Sequence, residues 1–378
     1  MTKLLRLSLL LPLLFVFSCN KGDDFKKSNN SLIDDWAKPV SNEIGQMITL
    51  SAATYAGRSM PETIYDSVNS VLEASDNVLK QQWKLAWFAF DMQKSLLMFV
   101  VKHKTIPNTY TLCIRGDDFS NLFNNIETLN IFQLTNWPYF DSNAKLAQGS
   151  MKIFDAFLNI KGIIGKDNPP TITITDFFKK ELSDEQTKGR PINLYLSGHS
   201  AGAEQVLLFL SYLTHIIESK KIVESSSVLL NAYAFAGTSF VDLEFAKAFE
   251  DLYAKYQDSQ GKILLQYKEV FNIKDFVSFS AYSNFSQAIY VGYPLSSLFS
   301  TELKLLTNDI DKELKKNNIR YIRVGNKVHG TLLNISFMGL SIPKLPEKCN
   351  SLQDFASYAG FYHYHNNYAK ALGGSSLK

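Results

Sequence analysis

The stretch "NLYLSGHSAGAEQVLLFL", Asn193 to Leu210, decides the fold. It runs from an apolar, β-favouring segment into a corner of small residues, then out into a second apolar segment of helical character. At the corner Ser200 stands between Gly198 and Gly202. A buried strand, a sharp turn and a helix in that order are what a nucleophile elbow needs. Glycines on both sides let strand and helix approach while the serine takes a strained backbone conformation with its hydroxyl presented. The amide of Ala201, first in the following helix, would face a developing negative charge. A serine hydroxyl is a weak nucleophile at its free pKa. The corner therefore carries chemistry only if the chain also supplies a histidine to take its proton and a carboxylate to hold that histidine.

Outward from the corner, β-branched and aromatic runs alternate with longer segments of helical period. That is the pattern of an α/β fold with a central, mostly parallel sheet flanked by helices. The expected strands are "WKLAWFAF", "LLMFVVKH", "YTLCIR", "INLYLS", "LLNAYAFA", "KEVFNI" and "RYIRV". Helices are expected near Asn42 to Ala56, Met151 to Ile160, Ala201 to Ile217, Leu243 to Tyr256 and Leu298 to Lys316. The region from Tyr282 to Asn318 is long for a connection and reads as a helical insertion.

The chain has 378 residues, 46% hydrophobic, enough for one large core and too apolar for a disordered chain. Lys3 and Arg6 precede the apolar run "LSLLLPLLFVF", which ends at Ser18 and Cys19 and is too short for a permanent bilayer span. Residues 1–18 read as a secretory signal. The small residue before Cys19, with Val16 upstream, resembles the lipobox of bacterial lipoproteins, which makes Cys19 an expected lipidation site in a cell envelope. Residues 19–35, with "NKGDDFKKSNNS", are polar and aperiodic and read as a tether. Residues 36–378 are the expected domain. With 39 basic and 36 acidic residues the charge is nearly balanced, so no field suggests a nucleic-acid partner. Cys113 and Cys349 could form one bridge or stay separate buried thiols.

Ordered blocks around the elbow resemble the class 3, or fungal-type, lipases of the α/β-hydrolase fold. The elbow "GHSAGA" is similar to that family's G-H-S-L-G-G. "AYAFAGTSFVDLEFAKAF" resembles the strand and loop after the nucleophile helix, and "EVFNIKDFV" the strand that ends in Asn and then D-x-V. "LCIRGDDFSNLFNNI" is similar to the R-G-T block, "LAQGSMKIFDAF" to the glycine-containing segment before the next helix, and "YIRVGNKV" to the strand before the catalytic histidine. The matches run in family order over roughly residues 85 to 372. The resemblance implies a serine ester hydrolase acting on lipid esters, such as acylglycerols or phospholipids, through an acyl-enzyme, and the expected lipidation of Cys19 would make it membrane-anchored. It needs no cofactor and no metal. The alternative is a lipase-fold binding or scaffold lipoprotein with a weak or inactive site.

The acid should follow the serine in sequence, and Asp275 does so at the end of "YKEVFNI". Asp242 competes, but it reads more simply as the cap of the helix beginning near Leu243. Chain order leaves His329, His363 and His365 for the base. The family's histidine precedes a short helix containing Tyr or Phe, so His365, with Tyr368 beyond it, fits best and His363 second. His199 reads as packed or as a supporting donor. His103 and His215 read as ordinary core or surface residues. "HYH" offers two imidazoles but no accompanying ligands at metal spacing. Asp117 stands where the family's R-G-T threonine or serine completes the oxyanion hole. Its amide can still donate, while its carboxylate would repel the oxyanion. Between that block and "AQGS" lies the apolar segment Phe119 to Phe140, at the family's lid position, to be read either as a cover or as ordinary packing.

Overall fold

Four long apolar runs lie side by side with their C-terminal ends on one edge, and Ser200 and Asp275 follow the ends of two of them. The computed structural model describes residues 42–57, 63–116, 130–165, 171–186, 191–219, 228–256, 263–272, 275, 293–324, 332–335 and 347–376. The expected signal, tether and Cys19, together with Asp117 and His329, lie outside them. The helices are α1 (Glu43–Ala53), α2 (Ile64–Glu73), α3 (Gln148–Asn159), α4 (Ile174–Gln186), α5 (Ala201–Glu218), α6 (Leu243–Lys255), α7 (Ser297–Lys316), α8 (Leu352–His363) and α9 (His365–Ala371). The strands are β1 (Trp83–Asp91), β2 (Leu96–His103), β3 (Thr109–Ile114), β4 (Leu134–Asn136), β5 (Lys145–Ala147), β6 (Gly162–Ile163), β7 (Thr171–Ile172), β8 (Ile192–His199), β9 (Val228–Phe235), β10 (Ile263–Asn272) and β11 (Leu332–Ile335).

Among the described residues one nine-stranded sheet runs β11-β10-β9-β8-β3-β2-β1-β6-β7. The pairs from β11 through to β3 are parallel, and those from β3 to β7 are antiparallel. The sheet is therefore mixed rather than mostly parallel. The reason is connection length: the turns at Met92–Ser95 and Lys104–Asn108 are too short for a crossover, so β1, β2 and β3 must form a meander. The helix α5 links β8 to its parallel neighbour β9, as a crossover should.

"RYIRV" does not form a ladder strand. Ile322 makes an isolated bridge to Val241, and β11 takes the outer edge instead. Two interior contacts fix the segment: Tyr321 donates its hydroxyl to the Ile131 carbonyl, and Arg323 turns inward to Glu269. The helix α7 lies within the region read as a helical insertion.

The sheet separates two apolar layers. One gathers Phe154, Phe177, Leu207 to Leu210 and Phe245 from α3, α4, α5 and α6. The other gathers Met47, Ile48, Val68, Phe361 and Tyr368 from α1, α2, α8 and α9. Trp137, 1% exposed, stacks edge-on with Phe154 at 5.0 Å, and Ile131 is also buried. The later part of the Phe119 to Phe140 segment thus sends Ile131 and Trp137 into the core, with Phe132, Leu134, Tyr139 and Phe140 packed against it, and its residues through Leu129 lie outside the description. Cys113 and Cys349 are separate buried thiols. Burial raises the pKa of both, as it does for any thiolate moved away from water.

Candidate active site

The elbow is built by steric exclusion. Ser200 sits at φ 61°, ψ −131°, a region ordinary side chains rarely occupy, between the end of β8 and the start of α5. Its amide donates to the Phe235 carbonyl at 2.9 Å, tying the corner to β9. Although Ser200 occupies the N-cap position, its hydroxyl makes no cap bond to α5. A serine at that place ordinarily accepts from the second or third helical amide, so the backbone twist has turned this one away from its own helix. A Cβ on Gly198 would meet the Gly202 carbonyl oxygen at 2.3 Å, and one on Gly202 would meet the Ile114 oxygen at 2.4 Å. A Cβ on Gly116, just past β3, would meet the His199 oxygen at 2.3 Å and Ser200 Cβ at 3.0 Å. Three glycines therefore let three backbones close on one serine. Ala201 opens α5, and the unpaired amides of a helix N-terminus attract negative charge.

The acid and histidine are gathered by hydrogen bonds. Asp275 is fully buried, and its amide donates to the Asn272 carbonyl at 2.8 Å, one turn past the end of β10. Both its oxygens lie 3.1 Å from Nδ1 of His363. Since a carboxylate oxygen accepts, Nδ1 carries a proton and Nε2 is the basic nitrogen. The Tyr368 hydroxyl donates to Asp275 Oδ2 and accepts the Asn272 amide at 2.9 Å, which locks α9 to the end of β10.

His365 does not meet Asp275. Its ring stacks on Tyr55, centroids 4.5 Å apart and 5° from parallel. The divergence has a local cause: His363 ends α8, His365 begins α9, and Tyr364 between them is extended at φ −65°, ψ 125°. The two side chains leave the chain in different directions. The histidine that precedes the short tyrosine-bearing helix is His363, because His365 is already inside that helix.

His199, 3% exposed, donates from Nε2 to the His363 carbonyl at 2.7 Å. Burial, followed by the neighbouring His363 and His365, pushes its pKa well below 6.5, so the ring is neutral. Asp242 caps α6 through the Phe245 amide at 2.8 Å and accepts the Lys145 amide at 3.0 Å, which fixes its role as structural. His103 Nδ1 accepts the Ile106 amide at 3.0 Å and serves a turn.

Behind the elbow lies a polar cluster that carries no motif. Glu204, in the first turn of α5, accepts from Ser150 at 3.0 Å and from Thr238. Glu269 on β10 faces Arg323 Nε at 3.4 Å, both almost fully buried. Burial drives the Glu269 pKa up to about 7 despite the opposing pull of Arg323. Tyr55 is the other residue the sequence left unmarked. It comes from the turn after α1, and its hydroxyl accepts the Gly116 amide at 3.2 Å.

Residues 111–285 match the family model for lipase (class 3), the part of the chain that carries most of β3, the elbow and Asp275. Among solved structures, M37 lipase is similar over 89% of this chain and 94% of its own, with a TM-score of 0.64 and 17% identity. Lipase II from Rhizopus niveus is similar over 64% of this chain and 76% of its own, with a TM-score of 0.41 and 17% identity. Lip2 lipase from Yarrowia lipolytica aligns over 52% and 62%, with a TM-score of 0.36 and 14% identity. No curated protein matches the chain. The likeness to M37 lipase shows the fold, an α/β sheet flanked by helices in the lipase arrangement.

Proposed function

We propose that the chain is a serine carboxylic ester hydrolase of the class 3 lipase type, with Ser200 as nucleophile, His363 as base and Asp275 as its orienting acid. One observation carries the reading: a serine in a strained strand-to-helix corner shares a sheet edge with a buried histidine whose Nδ1 faces a buried aspartate. In acylation, Ser200 Oγ attacks the ester carbonyl carbon and its proton passes to His363 Nε2. The negative charge that develops on the carbonyl oxygen meets the Ala201 amide. Collapse expels the alcohol, which takes the proton from Nε2, and water then releases the acid by the reverse roles. Asp117 is proposed to lend its backbone amide as the second oxyanion donor.

Lipid esters are the proposed substrate class, supported by the family match over residues 111–285. Anchoring through Cys19 in a bacterial envelope is supported by the charged start, apolar run and Ser18–Cys19 junction. The test of function is labelling with a fluorophosphonate. One equivalent attached at Ser200, lost in Ser200→Ala, is expected, and an unlabelled native protein would favour the binding or scaffold alternative. For the anchor, Cys19→Ser should move the protein from the membrane to the soluble fraction, because acyl chains dominate the membrane affinity of a nearly neutral domain.

A further inference from the structure

Tyr55 touches three separate segments of the site, at Arg115–Gly116, His199 and His365. Its ring stacks on His365 at 4.5 Å, meets His199 edge-on at 5.9 Å and lies under the Arg115 guanidinium at 5.8 Å. These contacts hold the ring in place whatever its para substituent. The hydroxyl does something different. It accepts the Gly116 amide at 3.2 Å and approaches His199 Nδ1 at 3.3 Å and the His199 carbonyl at 3.4 Å.

The direction of this chain follows from the chemistry of its ends. A carbonyl oxygen can only accept, so His199 Nε2 is protonated toward His363. In the neutral ring Nδ1 is then an acceptor. The hydroxyl has one proton to give and receives the Gly116 N–H on a lone pair. The links run from the Gly116 amide through Tyr55 to His199, and from His199 Nε2 to the backbone of His363. At one end is the strand exit that lies against Ser200, since a Cβ on Gly116 would come within 3.0 Å of Ser200 Cβ. At the other is the backbone of the histidine that faces Asp275.

We propose that the Tyr55 hydroxyl is a positioning residue for ester hydrolysis: with His199 it ties the exit of β3 at Gly116 to the backbone of His363 and so sets the spacing around Ser200. The proposal rests on the serine hydrolase reading. Such a tie matters most where charge develops, because donors must already be aimed when the oxyanion forms. The peptide that follows Gly116 in sequence is the one assigned the second oxyanion amide.

Tyr55→Phe keeps the ring and removes only the hydroxyl. With a short-chain p-nitrophenyl ester, kcat should fall about tenfold while KM stays within about twofold, the signature of one hydrogen bond acting in the transition state. The melting temperature should fall by no more than about 5 °C, the cost of one lost hydrogen bond, and amide hydrogen exchange at Gly116 should quicken because its acceptor has gone. An unaltered kcat would overturn the proposal. So would a parallel loss of kcat and KM with a larger fall in melting temperature, or unchanged exchange at Gly116. If native protein neither turns over ester nor takes up fluorophosphonate at Ser200, the hydrolase reading has failed, and exchange at Gly116 still decides whether the hydroxyl makes the tie.

Discussion

The two halves of the candidate site are held by different forces. The elbow around Ser200 depends on the absence of atoms, with glycines at 116, 198 and 202 packed so closely that any Cβ would strike backbone within 2.3 to 2.4 Å. The corner around His363 depends on the presence of polar atoms, with Asp275 receiving the imidazole and the Tyr368 hydroxyl where both donors are almost fully buried. A steric half tolerates changes of charge outside it but no added volume. A hydrogen-bonded half tolerates small shifts of backbone but no lost partner, since an unmet buried carboxylate is costly.

The sharpest break in that comparison is at the histidines. His363→Ala should lower kcat by about 10⁴-fold or more, with no further loss in the double variant with Ser200→Ala, because the two are proposed to act as one unit. His365→Ala should retain most turnover and lose chiefly its stack on Tyr55. Equal loss in both single variants would dissolve the distinction between them. Next in size is Gly202→Val, whose side chain would be driven against the Ile114 carbonyl. It should cost about 4 kcal/mol or prevent folding, read by urea denaturation, whereas a cost under about 1 kcal/mol would show that the elbow yields.

The third test asks whether the elbow's support is wholly steric, since the Glu204 and Glu269 cluster lies behind it. Burial raises Glu269 from 4.5 to about 7 in the folded chain, so between those values the native state binds the proton more tightly than the unfolded state does. Its contribution to stability therefore declines as pH rises from about 4.5 through about 7, by roughly 3 kcal/mol in total. Glu269→Gln should remove that decline, seen as a difference between native and variant denaturation curves at pH 5 and pH 8. Matching curves would place the proton elsewhere. The smallest effect expected is from Tyr368→Phe, at about 2 kcal/mol of stability with a moderate loss of kcat, because His363 still holds Asp275. Unchanged stability would mean that α9 is docked by its apolar contacts alone.

Local pattern made much of this legible. The elbow is contiguous, so strand, glycines, serine and helix announce one another within about a dozen residues, and the longest strands and helices follow from their own periodicity. Asp275 is a candidate in the sequence because a strand delivers its end to the edge where Ser200 stands. The choice between His363 and His365 turned on whether α9 begins before or after residue 365, and helix boundaries are uncertain by a residue or two from sequence. The mixed sheet was implicit in the two short turns around β2 but is decided by pairing. "RYIRV" has the composition of a strand, and only the interior partners of Tyr321 and Arg323, Glu269 among them, explain why it turns inward instead.

What the sequence by itself determined is the set of short-range commitments: an α/β chain, a glycine-flanked serine at a strand-to-helix corner, and an aspartate following a later strand. Only the tertiary structure decided which histidine meets Asp275, that Tyr55 reaches the elbow at His199 from 144 positions away, and that two glutamates lie buried behind it. The physical reason is range. Backbone preference and side-chain period act between neighbours in the chain, whereas a buried polar atom must find its partner wherever packing brings one within about 3 Å.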